Sequence, residues 1–273
     1  DIFGLRDTRI ARNPAANWQV VWAESGRAYR LWNLTAASAV QASNGPGQES
    51  HNPPGRRVRF VDVVREGENL ASVFVAVHEP SGKDGAWTIR EVERLAVPRE
   101  AGADAVALAV DSAWGRYIIL SGFEREAEAG GVRFQGRLGV VGEPADGRAW
   151  LAAAEAATCR RGNFGFEKQP ATWHGEAARI EALRIRSTQA APLGMPALPQ
   201  ACQNWVLVND GDHDTGFPVA TADGQSITLT DRFPVPPGAK PKFHLPALRY
   251  EQQGPAITSV RTLRPEPRQL TAD

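Results

Sequence analysis

Three short stretches carry side chains that can do chemistry. Asp210-Gly-Asp-His-Asp-Thr-Gly216 sets acids at alternate positions and closes on glycine. At that spacing Asp210, Asp212 and Asp214 can wrap successive oxygens around one hard cation, so a structural calcium ion is the candidate ligand. The stretch lacks the later bidentate glutamate of an EF-hand, the next acid being Asp223. A plain Asp/Gly turn between two strands is the simpler reading. Zinc at His213 is weaker still, because its neighbours are not the Cys or His of a closed site. In a second stretch, His51 stands beside Asn52, Arg56 and Arg57. Arginines grip carboxylates and sulfates through paired N–H bonds, so His51, Arg56 and Arg57 are the candidate contacts for an acidic polymer. Against this stands a solvated loop leading into an edge strand. The third is His78-Glu79 before Pro80, the residue types of an acid/base pair, set against a structural role at a strand end. Gly-x-Ser-x-Gly and Gly-x-x-x-x-Gly-Lys are absent, so neither a nucleophile elbow nor a phosphate loop is expected, and no cofactor beyond that calcium.

The elements that must position these residues alternate with period two. Trp18, Val20 and Trp22 share one face of a strand, and Ser25-Gly26 turns into a second strand over 27–33. Leu70 to Pro80 predicts a buried strand with Val73, Val75 and Val77 on one face, stopped by Pro80. Further strands are predicted over 57–64, 88–97, 103–111, 116–121, 132–141 and 178–186. Trp150-Leu-Ala-Ala-Ala-Glu-Ala-Ala157 favours a helix by its alanines and a strand by its neighbourhood, and strand is preferred. The tryptophans at strand spacing read as core, whereas Trp87 and Trp114 sit near turns and are better placed for sugar stacking.

Composition narrows the function classes. The chain has 273 residues, with Lys+Arg 31 balancing Asp+Glu 31, and a nucleic-acid binder would carry a basic excess. There is no apolar run long enough for a helical membrane span. The 26 glycines and 20 prolines imply many turns. Two cysteines, Cys159 and Cys202, allow one bridge in an oxidising compartment or two thiols used as small core residues. The chain opens at Asp1, which reads as a mature product, an excised piece or a processed fragment.

The ordered run Ser72-Val-Phe-Val-Ala-Val-His-Glu-Pro80, Ile89-Arg-Glu-Val92 and Val106-Ala-Leu-Ala-Val110 resembles the late β-sandwich region of heparinase II/III-like polysaccharide lyases. Residues 56–187 carry the resemblance best, helped by Thr172-Trp-His-Gly175 ahead of a late strand. It implies an enzyme that cleaves uronate polysaccharides by β-elimination. It also implies a secreted or periplasmic setting and an upstream α/α toroid supplying much of the catalytic set. The Gly-His-x-Asp-x-Leu-like stretch of that family is absent, so no catalytic residue carries over. The alternative is a non-catalytic carbohydrate-binding or scaffold module. The expected architecture is all-β: a large antiparallel, supersandwich-like β-sandwich over 1–187, a Pro/Ala-rich linker over 188–202 and a small C-terminal β-sheet over 203–273. The expected partner is an acidic polysaccharide, with no nucleic acid and no membrane span.

Overall fold

The computed structural model describes residues 5–24, 27–46, 57–81, 86–145, 147–181, 183–193, 195, 204–209, 214–230 and 241–253. Among these the chain is all-β and antiparallel, as the alternation predicts, with one short 3-10 turn over Arg99–Ala101 as its only helical piece. No helix among the described residues is long and apolar enough to cross a membrane. The chain divides into two compact units, residues 1–96 with 106–119 and residues 97–105 with 120–273.

In the first unit, β1 (Arg6–Arg12), β4 (Ala39–Pro46) and β5 (Arg57–Val64) form a sheet in the order β1-β4-β5. A second sheet has the order β2-β3-β6, from β2 (Trp18–Glu24), β3 (Arg27–Asn33) and β6 (Ala76–Pro80). β7 (Ile89–Arg94) pairs with β8 (Val106–Ser112). The apolar run of β8 is buried on both faces, and Val106, Leu108 and Val110 pack with Trp32, Leu34, Val75 and Val92. The strand predicted from Leu70 begins only at Ala76. Val75 explains the delay: its N–H goes to Thr35 Oγ1 at 2.7 Å and its carbonyl accepts from Leu34 N–H at 3.0 Å. A buried hydroxyl thus takes the donor that a strand ladder would have used. The inward alternation survives, with Val75 buried and Phe74 exposed.

In the second unit, β9 (Gly115–Ala129, shared between the units at residue 120) turns through Gly130-Gly131 into β10 (Val132–Pro144). Both glycines have positive φ, 59° and 75°, the condition for a tight two-residue hairpin. β11 (Trp150–Arg161) and β12 (Phe164–Phe166) continue the meander, and β19 (Leu248–Gln252) pairs with β11. The alanine-rich stretch is therefore a strand: pairing with β10 and β19 on either side overrides its helical propensity.

The small terminal sheet is part of a closed six-stranded barrel in the order β13-β14-β17-β16-β15-β18. Its strands are β13 (Thr172–Glu181), β14 (Arg184–Ser187), β15 (Asn204–Asn209), β16 (Asp214–Ala222), β17 (Ser226–Leu229) and β18 (Lys242–Pro246). The expected division at residue 187 falls within this strand list, and the expected strand 178–186 is the hairpin of β13 and β14. Trp173, Ile185, Val206, Ile227, Leu229 and Phe243 fill the barrel core.

Candidate functional site

In the second unit, alternation sends Val141, Leu151 and Ala153 into the core and leaves an open face on β10, β11 and β19. Its cross-strand rows are Gly142–Trp150–Gln252, Val140–Ala152–Tyr250 and Leu138–Ala154–Leu248. The Trp150 and Tyr250 rings stack, with centroids 6.2 Å apart and planes 28° from parallel. Gly142 makes this possible, because a Cβ there would sit 2.4 Å from Trp150 Cε2. Tyr250 is 54% exposed, and its hydroxyl donates to Gln252 Oε1 at 3.3 Å. The half-buried Ala152 and Ala154 thus lie beside an exposed aromatic ring with a polar tip.

A charged cluster begins where this alanine row ends. Glu155, the residue after Ala154, has φ 49°, a left-handed conformation that costs a non-glycine residue about 1–2 kcal/mol. Its N–H donates to Ala247 O at 3.0 Å. One carboxylate oxygen lies 3.2 Å from His244 Nε2 and the other 3.6 Å from an Arg137 Nη. His244 sits between the buried Phe243 and Leu245, so it faces out of the barrel. There it lies in register with His174 of β13, the two rings edge to face with centroids 4.4 Å apart. On its other side it is in register with Leu207, which is exposed beside the exposed Trp205. Burial, then the neighbouring His244, pushes His174 below its ordinary pKa, and Glu155 pulls the other way. Tyr250 stands opposite Ala152, three residues from Glu155, which is about 10 Å along a strand.

The first unit holds the other concentration of polar side chains. Glu79, predicted as an acid/base candidate, is buried. Its Oε2 accepts from Arg30 Nε at 3.0 Å and from an Arg30 Nη at 2.5 Å. Its Oε1 accepts from the N–H groups of Thr88 and Ile89, at 2.6 and 2.8 Å, and from the Thr88 hydroxyl at 3.0 Å. Burial alone would raise its pKa, but the bonds from Ile89, Arg30 and Thr88 hold it lowered. Arg30 is sandwiched over Trp32 and Trp87, at 4.5 and 4.7 Å from the ring centroids. Every oxygen is in use, so this network ties β3 and β6 to the start of β7. His78 is exposed, and its Nδ1 hydrogen-bonds to the Tyr29 hydroxyl.

Of the remaining sequence-predicted residues, some are described and others lie outside the described residues. Arg57 opens β5 opposite Pro46 and donates to Asn44 O at 2.6 Å, while His51 and Arg56 lie outside the described residues. Asp214 opens β16 opposite Asn209, while Asp210, Asp212 and His213 lie outside the described residues. Among the described residues no group of three or more His, Cys, Asp or Glu is arranged to hold a metal ion. Cys159 is a buried free thiol, pushed up to about 12 by burial and by Glu251, and Cys202 lies outside the described residues. Trp114 is exposed at a turn, as expected, whereas Trp87 is half-buried against Arg30. Sequence reasoning passed over Tyr250, Trp150, Glu155, Arg137, His174 and His244. A signal was present for the histidines: each follows a large apolar residue at an outward strand position.

No family model matches the chain, and no curated protein matches it.

Proposed function

We propose that this chain is the carbohydrate-contacting β portion of a protein acting on acidic polysaccharides, of the kind represented by heparinase II/III-like lyases. The observation that carries this reading is the exposed Tyr250 ring, stacked on Trp150 beside its alanine row, an aromatic ring of the kind that packs on a pyranose face. The strand order behind the resemblance adds support, since β6, β7 and β8 occur where the motif run sits. In this reading β-elimination needs a base and a carboxylate-neutralising group supplied together by an upstream toroid, and the protein is secreted or periplasmic.

The test is affinity electrophoresis of this chain in gels containing heparan sulfate, hyaluronan or alginate. Retardation by at least one polymer is expected, weakened about five- to tenfold by Tyr250→Ala, the loss of roughly 1 kcal/mol of stacking. Ultraviolet absorbance of the unsaturated product should stay flat for this chain alone. Robust turnover would overturn the partition of the chemistry, and binding to none of the polymers would overturn the glycan reading.

A further inference from the structure

We infer that the Glu155–His244–His174–Arg137 cluster is a proton-gated subsite for an anionic group on a saccharide seated against Tyr250. This rests on the glycan reading above and adds a regulation to it. The geometry sets the charge. With both imidazoles neutral, the Glu155 carboxylate cancels the Arg137 guanidinium, and the cluster is formally neutral. With both protonated it is doubly positive. Among the described residues, the elements packed around His174 and His244 bring these groups: β15 contributes the apolar Leu207, while Lys242 of β18 pairs in register with Glu176 of β13, one row out on the same face. β11 contributes Glu155 and β10 contributes Arg137.

The cluster is also held ready. Glu155 keeps a left-handed backbone in mid-strand, which turns its side chain toward the barrel face. His174 is exposed at the outer side of the pair, and its proton affinity is depressed by burial and by His244. An anion approaching the pair offsets the repulsion between two imidazolium rings, so anion and proton uptake strengthen each other. Along the backbone of β11, Glu155 is three residues, about 10 Å, from Ala152, the ladder partner of Tyr250.

The experiment is calorimetric titration of this chain with a hyaluronan oligosaccharide and with a neutral oligosaccharide of similar length, at about pH 8 and about pH 5. Binding of the acidic oligosaccharide is expected to tighten about five- to tenfold at the lower pH, the worth of one or two partly exposed ion pairs, with the neutral sugar unchanged. His174→Gln and His244→Gln should each remove most of that gain while retaining binding at the higher pH. In parallel, the imidazole proton resonances of His174 should titrate at higher pH when the acidic oligosaccharide is present. Acidic-oligosaccharide binding that Tyr250→Ala weakens, yet that is equal at both pH values, would overturn the gate and leave the glycan reading standing. Binding of neither oligosaccharide, with no histidine shift, would overturn both.

Discussion

Glu79 and Glu155 are chemically the same anchor put to opposite uses. Each is a shielded glutamate within reach of an arginine, one in each unit. Glu79 spends both oxygens on close bonds from Arg30, Thr88 and Ile89, in an ordinary strand backbone. Glu155 has one histidine at 3.2 Å, a mostly exposed arginine at 3.6 Å and a left-handed φ. Saturation separates support from availability. A carboxylate with every lone pair committed stabilises its surroundings and offers nothing to a ligand, whereas one held in strain with long contacts can exchange them.

The contrast breaks most visibly in stability. Glu79→Ala strands the Arg30 guanidinium and should cost about 3–5 kcal/mol in urea unfolding, the usual price of halving a buried pair. A change below about 1 kcal/mol would put Glu79 in the same class as Glu155. Smaller in size is the pH response of the intact protein. Because Glu79's folded pKa lies below its ordinary 4.5, its contribution is complete above that value and is lost as pH falls through the folded pKa. Unfolding midpoints between about pH 6 and about pH 3 should therefore fall less steeply in Glu79→Gln than in the parent protein.

Smaller again is Glu155→Gly. Glycine relieves about 1–2 kcal/mol of left-handed strain, and the lost contacts to His244 and Arg137 are worth about 1 kcal/mol or less each. Stability should stay within about 1 kcal/mol of the parent; a loss as large as that of Glu79→Ala would show Glu155 to be a structural anchor too. Finest of all is His174→Gln. A histidine whose folded pKa is depressed stabilises fully above its ordinary 6.5 and loses that contribution as pH falls, so the variant should soften the decline between about pH 7 and about pH 5 by a few tenths of a kcal/mol.

Alternation made the strands legible. The run at 57–64 and the apolar block of β8 fold close to where the pattern puts them. Illegible was anything decided by a partner far along the chain. β16 is a barrel strand that begins inside a stretch resembling a cation loop, and its ladder partners β15 and β17 fix it as a strand. Val75 left its predicted strand because of Thr35, forty residues away. The open face was hidden for the same reason. Trp150 and Tyr250 are a hundred residues apart in sequence and meet only through the pairing of β11 with β19. Local patterns predict which side of a strand is wet, but not which other strand shares that side.

The barrel's strand order bears on how this protein can be handled. Its first two strands end at Ser187 and the remaining four begin at Asn204, yet the ladder closes through β13 and β18. β19 then completes the ladder on β11. A protease cut in the interval between them would leave two fragments interlocked by three ladders, β13 with β18, β14 with β17 and β11 with β19. They would elute together from a sizing column and part only in denaturant. A gene truncated in the same interval would fare worse: β13, β14 and one side of β11 would be left with unmated edges, open to pairing with a neighbouring molecule. Nicking should be benign and shortening should precipitate, although both interrupt the chain at the same place.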